Sequence, residues 1–211
     1  MAGDPDCFCC LILSVAAPGP RPVRACRLGS EYPVAALGLV LVREPSEDKD
    51  NIKSIQDIAD LCDAFYIGGT KNGALLGEAV VFPQPETVKL KQFTTLIKQQ
   101  GGLLAKGRLL GIQFEALFED GLFYRNAKHA NSQAMKIKRA FTEKGITFLI
   151  DSPTNQQFPI LTRQQNETLS EKFSYESWQP LKDGRLAVRF CTSWATTDDN
   201  INELIEAIRR L

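Results

Sequence analysis

A glycine-rich hexapeptide at residues 68–73 (GGTKNG) separates two short apolar segments of the chain. The first segment is residues 64–67 (AFYI), and the second is residues 78–82 (EAVVF). Each segment has the length and the composition of a buried strand. Glycine tolerates backbone conformations that other residues avoid. The pattern therefore predicts a strand, a tight loop and a second strand, with a single lysine held in the loop.

Lys71 is the reactive group of this loop. A lysine that loses water between two buried strands is driven towards its neutral form, and a neutral amine attacks carbonyl carbon to form a Schiff base. The alternative is a solvated lysine at the tip of a glycine-rich turn, and the loop alone does not decide between them. A phosphate-binding loop of the Walker type is excluded, because the spacing Gly-x-x-x-x-Gly-Lys-Ser/Thr is absent.

The order of the predicted elements indicates an α/β lobe followed by an α+β lobe. Capping residues, glycines and apolar periodicity predict helices at residues 55–61, 86–100, 103–118, 122–144 and 198–210. Strands are predicted at residues 64–67, 78–82, 146–150, 158–162, 173–179 and 185–192. Lys182-Asp183-Gly184 is predicted to turn the last hairpin, and Thr197 to cap the last helix.

Charge and composition narrow the classes of partner. The 211 residues include 25 Lys and Arg against 25 Asp and Glu, so no net field attracts nucleic acid or an anionic membrane. With 44% hydrophobic residues the chain can bury a substantial core in one or two domains. We therefore expect a globular protein with no nucleic-acid and no membrane partner.

The cysteines indicate a reducing compartment. Their positions are 7, 9, 10, 26, 62 and 191, and with the single histidine, His129, they give no zinc-binding spacing. The cluster at residues 7–10 is interpreted as hydrophobic thiols, and Cys62 and Cys191 as core residues beside strands. This usage favours the cytoplasm.

Residues 7–17 form an apolar run with the length of a signal peptide. Asp4 and Asp6 stand where a signal peptide carries positive charge, so secretion is not expected. The run is also too short to cross a bilayer as a helix.

Three blocks of the sequence resemble the threonine aldolase branch of the β-eliminating lyases, which are pyridoxal phosphate enzymes of the aspartate aminotransferase fold. The blocks are residues 60–81, 103–118 and 188–194, and the likeness extends from about residue 54 to the C-terminus. The resemblance implies an N-terminally truncated member. It implies the C-terminal part of a pyridoxal-phosphate-dependent, transferase-like α/β large domain at residues 25–121 and a small α+β domain at 122–211, after a divergent segment at 1–24.

The resemblance gives Lys71 the covalent bond to pyridoxal phosphate, with Gly69 and Thr70 as further cofactor-binding residues. It implies that the enzyme cleaves a β-hydroxy amino acid to glycine and an aldehyde, and that such chains assemble as dimers or tetramers. The other hypothesis is a catalytically inert relative, which acts as a non-enzymatic subunit or has no function alone.

Two arginines are implied to bind the carboxylate of the amino-acid substrate. Arg189 matches the family's arginine in the last block, although a strand arginine can also pair with a local acid. Arg27 matches the arginine of a family Asp-Gly-Ala-Arg-Leu-Gly segment. Arg24 stands at the aspartate of that segment, where a cation would oppose protonation of the pyridine nitrogen.

Other titratable residues near these blocks receive no firm role. Lys106 and Arg108 could face a phosphate or a neighbouring subunit, or form a solvated helix face. His129 is predicted to be a surface or interhelical residue, and neither Glu78 nor Glu115 is assigned to catalysis.

Overall fold

The structure is a computed structural model, and it describes residues 10–14, 65–82 and 90–211. Arg24, Arg27 and the helix predicted at residues 55–61 lie outside the described residues. The chain divides into two units, Met1–Tyr124 and Arg125–Leu211.

The first unit contains a three-stranded sheet. Its strands are β1 (Cys10–Ser14), β2 (Phe65–Gly68) and β3 (Glu78–Phe82), in the order β1-β3-β2. Strand β2 runs antiparallel to β3, as the strand–loop–strand pattern predicts, and β1 runs parallel to it. Part of the apolar run near the N-terminus is therefore a strand that pairs with β3.

Two helices follow this sheet in the first unit. Helix α1 (Leu90–Gln99) stops before Gly101, whose φ of 77° is readily adopted only by glycine. Helix α2 (Arg108–Phe118) starts five residues later than predicted, and Leu103 is 45% exposed instead of lying on its apolar face. The backbone hydrogen bonds mark this start, because the Gly107 carbonyl accepts from the amides of Leu110 and Gly111 and residues 105–107 form a turn.

The core of the first unit lies between the sheet and α2. Its buried side chains come from alternate positions of β2 and β3 and from one face of α2, as strand and helix periodicity require. They include Phe65, Ile67, Ala79, Val81, Phe114 and Leu117. This packing fixes the loop between β2 and β3 against the helix.

The second unit is built around the strand β7. Helix α3 (Leu122–Glu143) runs from the end of the first unit into it, followed by β4 (Gln156–Gln157), β5 (Ile160–Leu161), α4 (Arg163–Ser170), β6 (Glu176–Pro180), β7 (Leu186–Cys191) and α5 (Asp198–Arg209). Strand β7 pairs antiparallel with β4, β5 and β6. The predicted turn joins β6 to β7, with Gly184 at φ 84°.

Two features of the second unit differ from the predictions. Residues 146–150 form no strand and contribute only a bridge between Phe148 and Pro159. Helix α4 was not predicted, although its sequence holds a capping box in which Thr162 Oγ1 accepts from the Gln165 backbone and Gln165 Oε1 accepts from the Thr162 backbone.

The cap of helix α5 gives a testable prediction. Thr197 Oγ1 accepts a hydrogen bond from the Asn200 amide at 3.3 Å, so Thr197→Ala leaves this amide without its cap. We expect a loss of about 1 kcal/mol in the free energy of unfolding, measured by denaturant titration of tryptophan fluorescence. Thr168→Ala is the control, because that hydroxyl bonds within helix α4 and caps no end. Equal losses in both variants would contradict the cap.

Candidate functional site

The lysine loop connects β2 to β3 and has a fixed backbone. The Gly69 carbonyl accepts hydrogen bonds from the amides of Asn72 at 2.9 Å and Ala74 at 3.0 Å. Asn72 and Ala74 are buried, whereas Thr70 and Lys71 are exposed. The loop therefore turns the Lys71 side chain to the surface while its own backbone hydrogen bonds hold its shape.

Gly69 is at a position where no side chain fits. A Cβ atom built on it would lie 2.6 Å from the Ala74 Cβ and 2.9 Å from the Phe114 Cζ. Contacts this short do not occur between packed carbon atoms. The glycine thus allows the loop to pack directly on helix α2.

Gln113 connects the loop to the start of helix α2. Its Oε1 accepts from the Leu75 amide at 2.7 Å, and its Nε2 donates to the Leu109 carbonyl at 2.7 Å. One side chain therefore ties the lysine loop to the first turn of the helix. Sequence reasoning assigned Gln113 no role, although the residue lies in the family-like block at 103–118.

The exposure of Lys71 matches one of the two interpretations of the loop. The loop alone left open a desolvated lysine between the strands and a solvated lysine at the tip of the turn, and the described residues leave the Lys71 side chain exposed. The two strands bury alternate side chains of their own and do not enclose the loop. In the part of the chain that the structure describes, Lys71 is therefore a surface residue.

Glu78 and Glu115 carry carboxylates on strand β3, which follows the lysine loop, and on helix α2, which packs against it. Glu78 opens β3 opposite Gly68, and partial burial raises the pKa of its carboxyl group. Glu115 is exposed on helix α2.

Arg189 lies on β7 in the second unit and is paired with groups of its own chain. It forms an ion pair with Glu176, and its Nη1 donates to Gln156 Oε1 at 3.3 Å. Its guanidinium carbon lies 5.0 Å from the centre of the Trp178 ring. The guanidinium thus pairs with a local acid in this structure, and its assignment to a substrate carboxylate stays a prediction.

The remaining candidate residues are His129, Lys106, Arg108 and Cys191. His129 Nε2 lies 2.7 Å from the Thr196 carbonyl oxygen, which ties helix α3 to the segment before α5. Lys106 and Arg108 are exposed at the start of α2. Cys191, predicted to be a core residue, is exposed because it ends β7 with its side chain facing away from the core.

The described residues contain neither a metal-ligand cluster nor a helix that could span a membrane. Within residues 10–14, 65–82 and 90–211, no three His, Cys, Asp or Glu side chains come together as metal ligands would. In the same ranges no helix combines the length and the apolar character needed to cross a bilayer.

Comparison with known proteins finds relatives among the threonine aldolases. No protein-family model matches the chain. A low specificity L-threonine aldolase from a Pseudomonas species is 31% identical over 148 residues, which are 70% of this chain and 41% of that protein. The structure of Leishmania major threonine aldolase matches with a TM-score of 0.73 and 39% identity, over 83% of this chain and 49% of that one. The chain is thus a relative of the threonine aldolases over most of its own length.

Proteins other than threonine aldolases share this fold. Sphingomonas wittichii serine palmitoyltransferase matches with a TM-score of 0.54 at 11% identity, over 78% of this chain and 43% of that one, which shows a shared fold. The predicted fold class is confirmed: the chain has the C-terminal part of the α/β large domain of pyridoxal-phosphate-dependent enzymes and the small α+β domain that follows it. This threonine aldolase relative spans between two fifths and one half of the length of the proteins it matches.

Proposed function

We propose that this chain functions as a pyridoxal-phosphate-dependent lyase of threonine aldolase type, which cleaves a β-hydroxy amino acid to glycine and an aldehyde. The observation that carries the proposal is an exposed amine, Lys71, on a loop whose backbone is fixed by Gly69 and Gln113. Threonine aldolases are pyridoxal phosphate enzymes, and such a lysine is what an aldehyde cofactor requires.

The residues of the lysine loop fit this cofactor. Lys71 would hold it covalently through Nζ, and the exposed Thr70 beside it offers a hydroxyl group. Lys106 and Arg108 supply positive charge for a phosphate at the start of α2, the end of the helix that Gln113 ties to the loop. When bound, pyridoxal phosphate supplies an electron sink for bonds at the substrate α-carbon.

The contribution of the chain itself is mainly placement. Gly69 and Gln113 hold the loop, so the Lys71 amine meets its ligand from a defined backbone position. In the proposed reaction the Cα–Cβ bond breaks, the substrate hydroxyl loses its proton as the aldehyde forms, and Cα gains a proton to give glycine. We assign His129 no part in these transfers, because its Nε2 lies against the Thr196 carbonyl.

Covalent trapping tests the proposal. The purified chain is incubated with pyridoxal phosphate, reduced with borohydride and digested, and the peptides are mapped by mass spectrometry. We expect the pyridoxyl group on the peptide that contains Lys71, and its complete loss from that peptide in Lys71→Ala. Lys98→Ala, which removes another exposed lysine, is the control and should leave the adduct in place. A chain that acquires no adduct on Lys71 at any cofactor concentration would contradict the proposal.

A non-catalytic relative is the second candidate function. It is favoured by Arg24, which stands where the family pattern has an aspartate. A chain that forms the Lys71 adduct but releases no acetaldehyde from threonine would support this candidate. We further propose assembly as a homodimer or homotetramer and a reducing, cytoplasmic location, which mass photometry and localisation of a tagged chain can test.

A further inference from the structure

The carboxylate of Glu176 lies at the guanidinium group of Arg189. The two residues are direct cross-strand partners in the antiparallel pair β6–β7, so their side chains share one face of the sheet. They form an ion pair, in which the arginine is one quarter exposed and the glutamate about half exposed. The donors that could bind a ligand carboxylate therefore already contact a carboxylate of the chain.

Two other side chains hold the guanidinium independently of Glu176. Gln156, which is buried, accepts a hydrogen bond from Nη1. Trp178 presents its ring to the guanidinium carbon at 5.0 Å, and its own ring lies 5.2 Å from the buried ring of Phe158. A guanidinium supported by an amide and an aromatic face keeps its position when its ion-pair partner leaves.

Trp178 lies at an irregularity in the pairing of β6 with β7. Ser177 pairs with Val188 and Gln179 pairs with Ala187, so Trp178 is an extra residue without a partner on β7 in this ladder. A bulge of this kind bends the strand and redirects a side chain.

We propose that Glu176 is an internal competitor for Arg189, so that a ligand carboxylate binds the guanidinium only by displacing Glu176. The inference rests on the proposed function for the identity of the ligand, an amino acid, but the competition needs only its carboxylate. Displacement is feasible, because a half-exposed glutamate gains little from a surface ion pair and regains its mobility in water. Glu176 thereby sets the carboxylate affinity of this site.

The test uses acetate, which has a carboxylate and no amine, and needs no cofactor. The chain has two tryptophans, so Trp194→Phe leaves Trp178 beside Arg189 as the only tryptophan reporter. Acetate is titrated against this variant at constant ionic strength with sodium chloride, and the emission of Trp178 is followed. We expect a saturable change, with a midpoint two- to fivefold lower after Glu176→Gln, the size expected for losing one exposed ion pair.

Control variants separate competition from general effects. Glu203→Gln removes the acidic partner of Lys172 in the same unit and should leave the midpoint unchanged. Arg189→Gln should remove the acetate response. An unchanged or higher midpoint in Glu176→Gln would overturn the proposal, as would the absence of any acetate response in both proteins. Neither result bears on the Lys71 adduct, so failure here is distinct from failure of the proposed function.

Discussion

Gly69→Ala is expected to destabilise the first unit by about 1–3 kcal/mol and to lower the yield of pyridoxyl adduct on Lys71 several-fold. The added methyl would lie 2.6 Å from the Ala74 Cβ and 2.9 Å from the Phe114 Cζ. Neither neighbour can move away cheaply, because Ala74 is fixed by the Gly69 carbonyl and Phe114 is fully buried. The loop must therefore shift, and Lys71 shifts with it.

The adjacent glycine provides the control for this prediction. A Cβ built on Gly68 has no atom within 4 Å, so Gly68→Ala makes the same chemical change one residue away without the clash. Hydrogen exchange of peptides across residues 65–82 measures the loop's stability, and borohydride trapping measures its function. Similar behaviour of the two variants would show that packing on Phe114 does not position the lysine.

Phe141→Ala is expected to cost about 3–5 kcal/mol in the free energy of unfolding of the second unit. The Phe141 ring is fully buried, 5.5 Å from the Phe190 ring on β7 and 6.3 Å from the Phe148 ring. Its removal leaves a cavity between helix α3 and the sheet that backbone elements on both sides prevent from closing.

Tryptophan fluorescence during urea titration measures this loss, because both tryptophans belong to the second unit. Thr142→Ala, at the next position of the same helix, is the control: the residue is exposed, and its hydroxyl donates to the Lys138 carbonyl one turn earlier. If both variants unfold at the same urea concentration, Phe141 contributes no more to the core than a surface residue does.

Sequence reasoning succeeded where the chemistry is local. The glycine-rich loop, the turn at Gly184 and the cap at Thr197 are each decided by a few neighbouring residues, and each is present in the structure. Helix α4 has an equally local capping box, so it could have been predicted from the sequence, but it was not. The start of α2 was misplaced because the apolar residues before Arg108 continue the helical pattern although they are exposed.

The tertiary contacts of the site residues could not be predicted from local sequence patterns. Arg189 was predicted to bind a ligand carboxylate by resemblance. Its pairing with Glu176, 13 residues away in sequence, depends on the register of β6 against β7. The exposure of Lys71 depends on how the sheet and helix α2 pack. The assignment of Lys71, Thr70, Gly69, Arg189 and Arg27 to the site stays a prediction that the proposed experiments test.

The sequence by itself determined that a lysine stands in a glycine-rich loop between two strands. Its likeness to threonine aldolases implied that this lysine binds the cofactor. Only the tertiary structure showed that Phe114 lies under Gly69 and that Gln113, 38 residues from Leu75, ties the loop to its helix. The physical reason is the separation along the chain over which each kind of interaction acts. Backbone preferences and caps act over a few residues, whereas packing and side-chain pairing join distant segments that only the folded chain brings together.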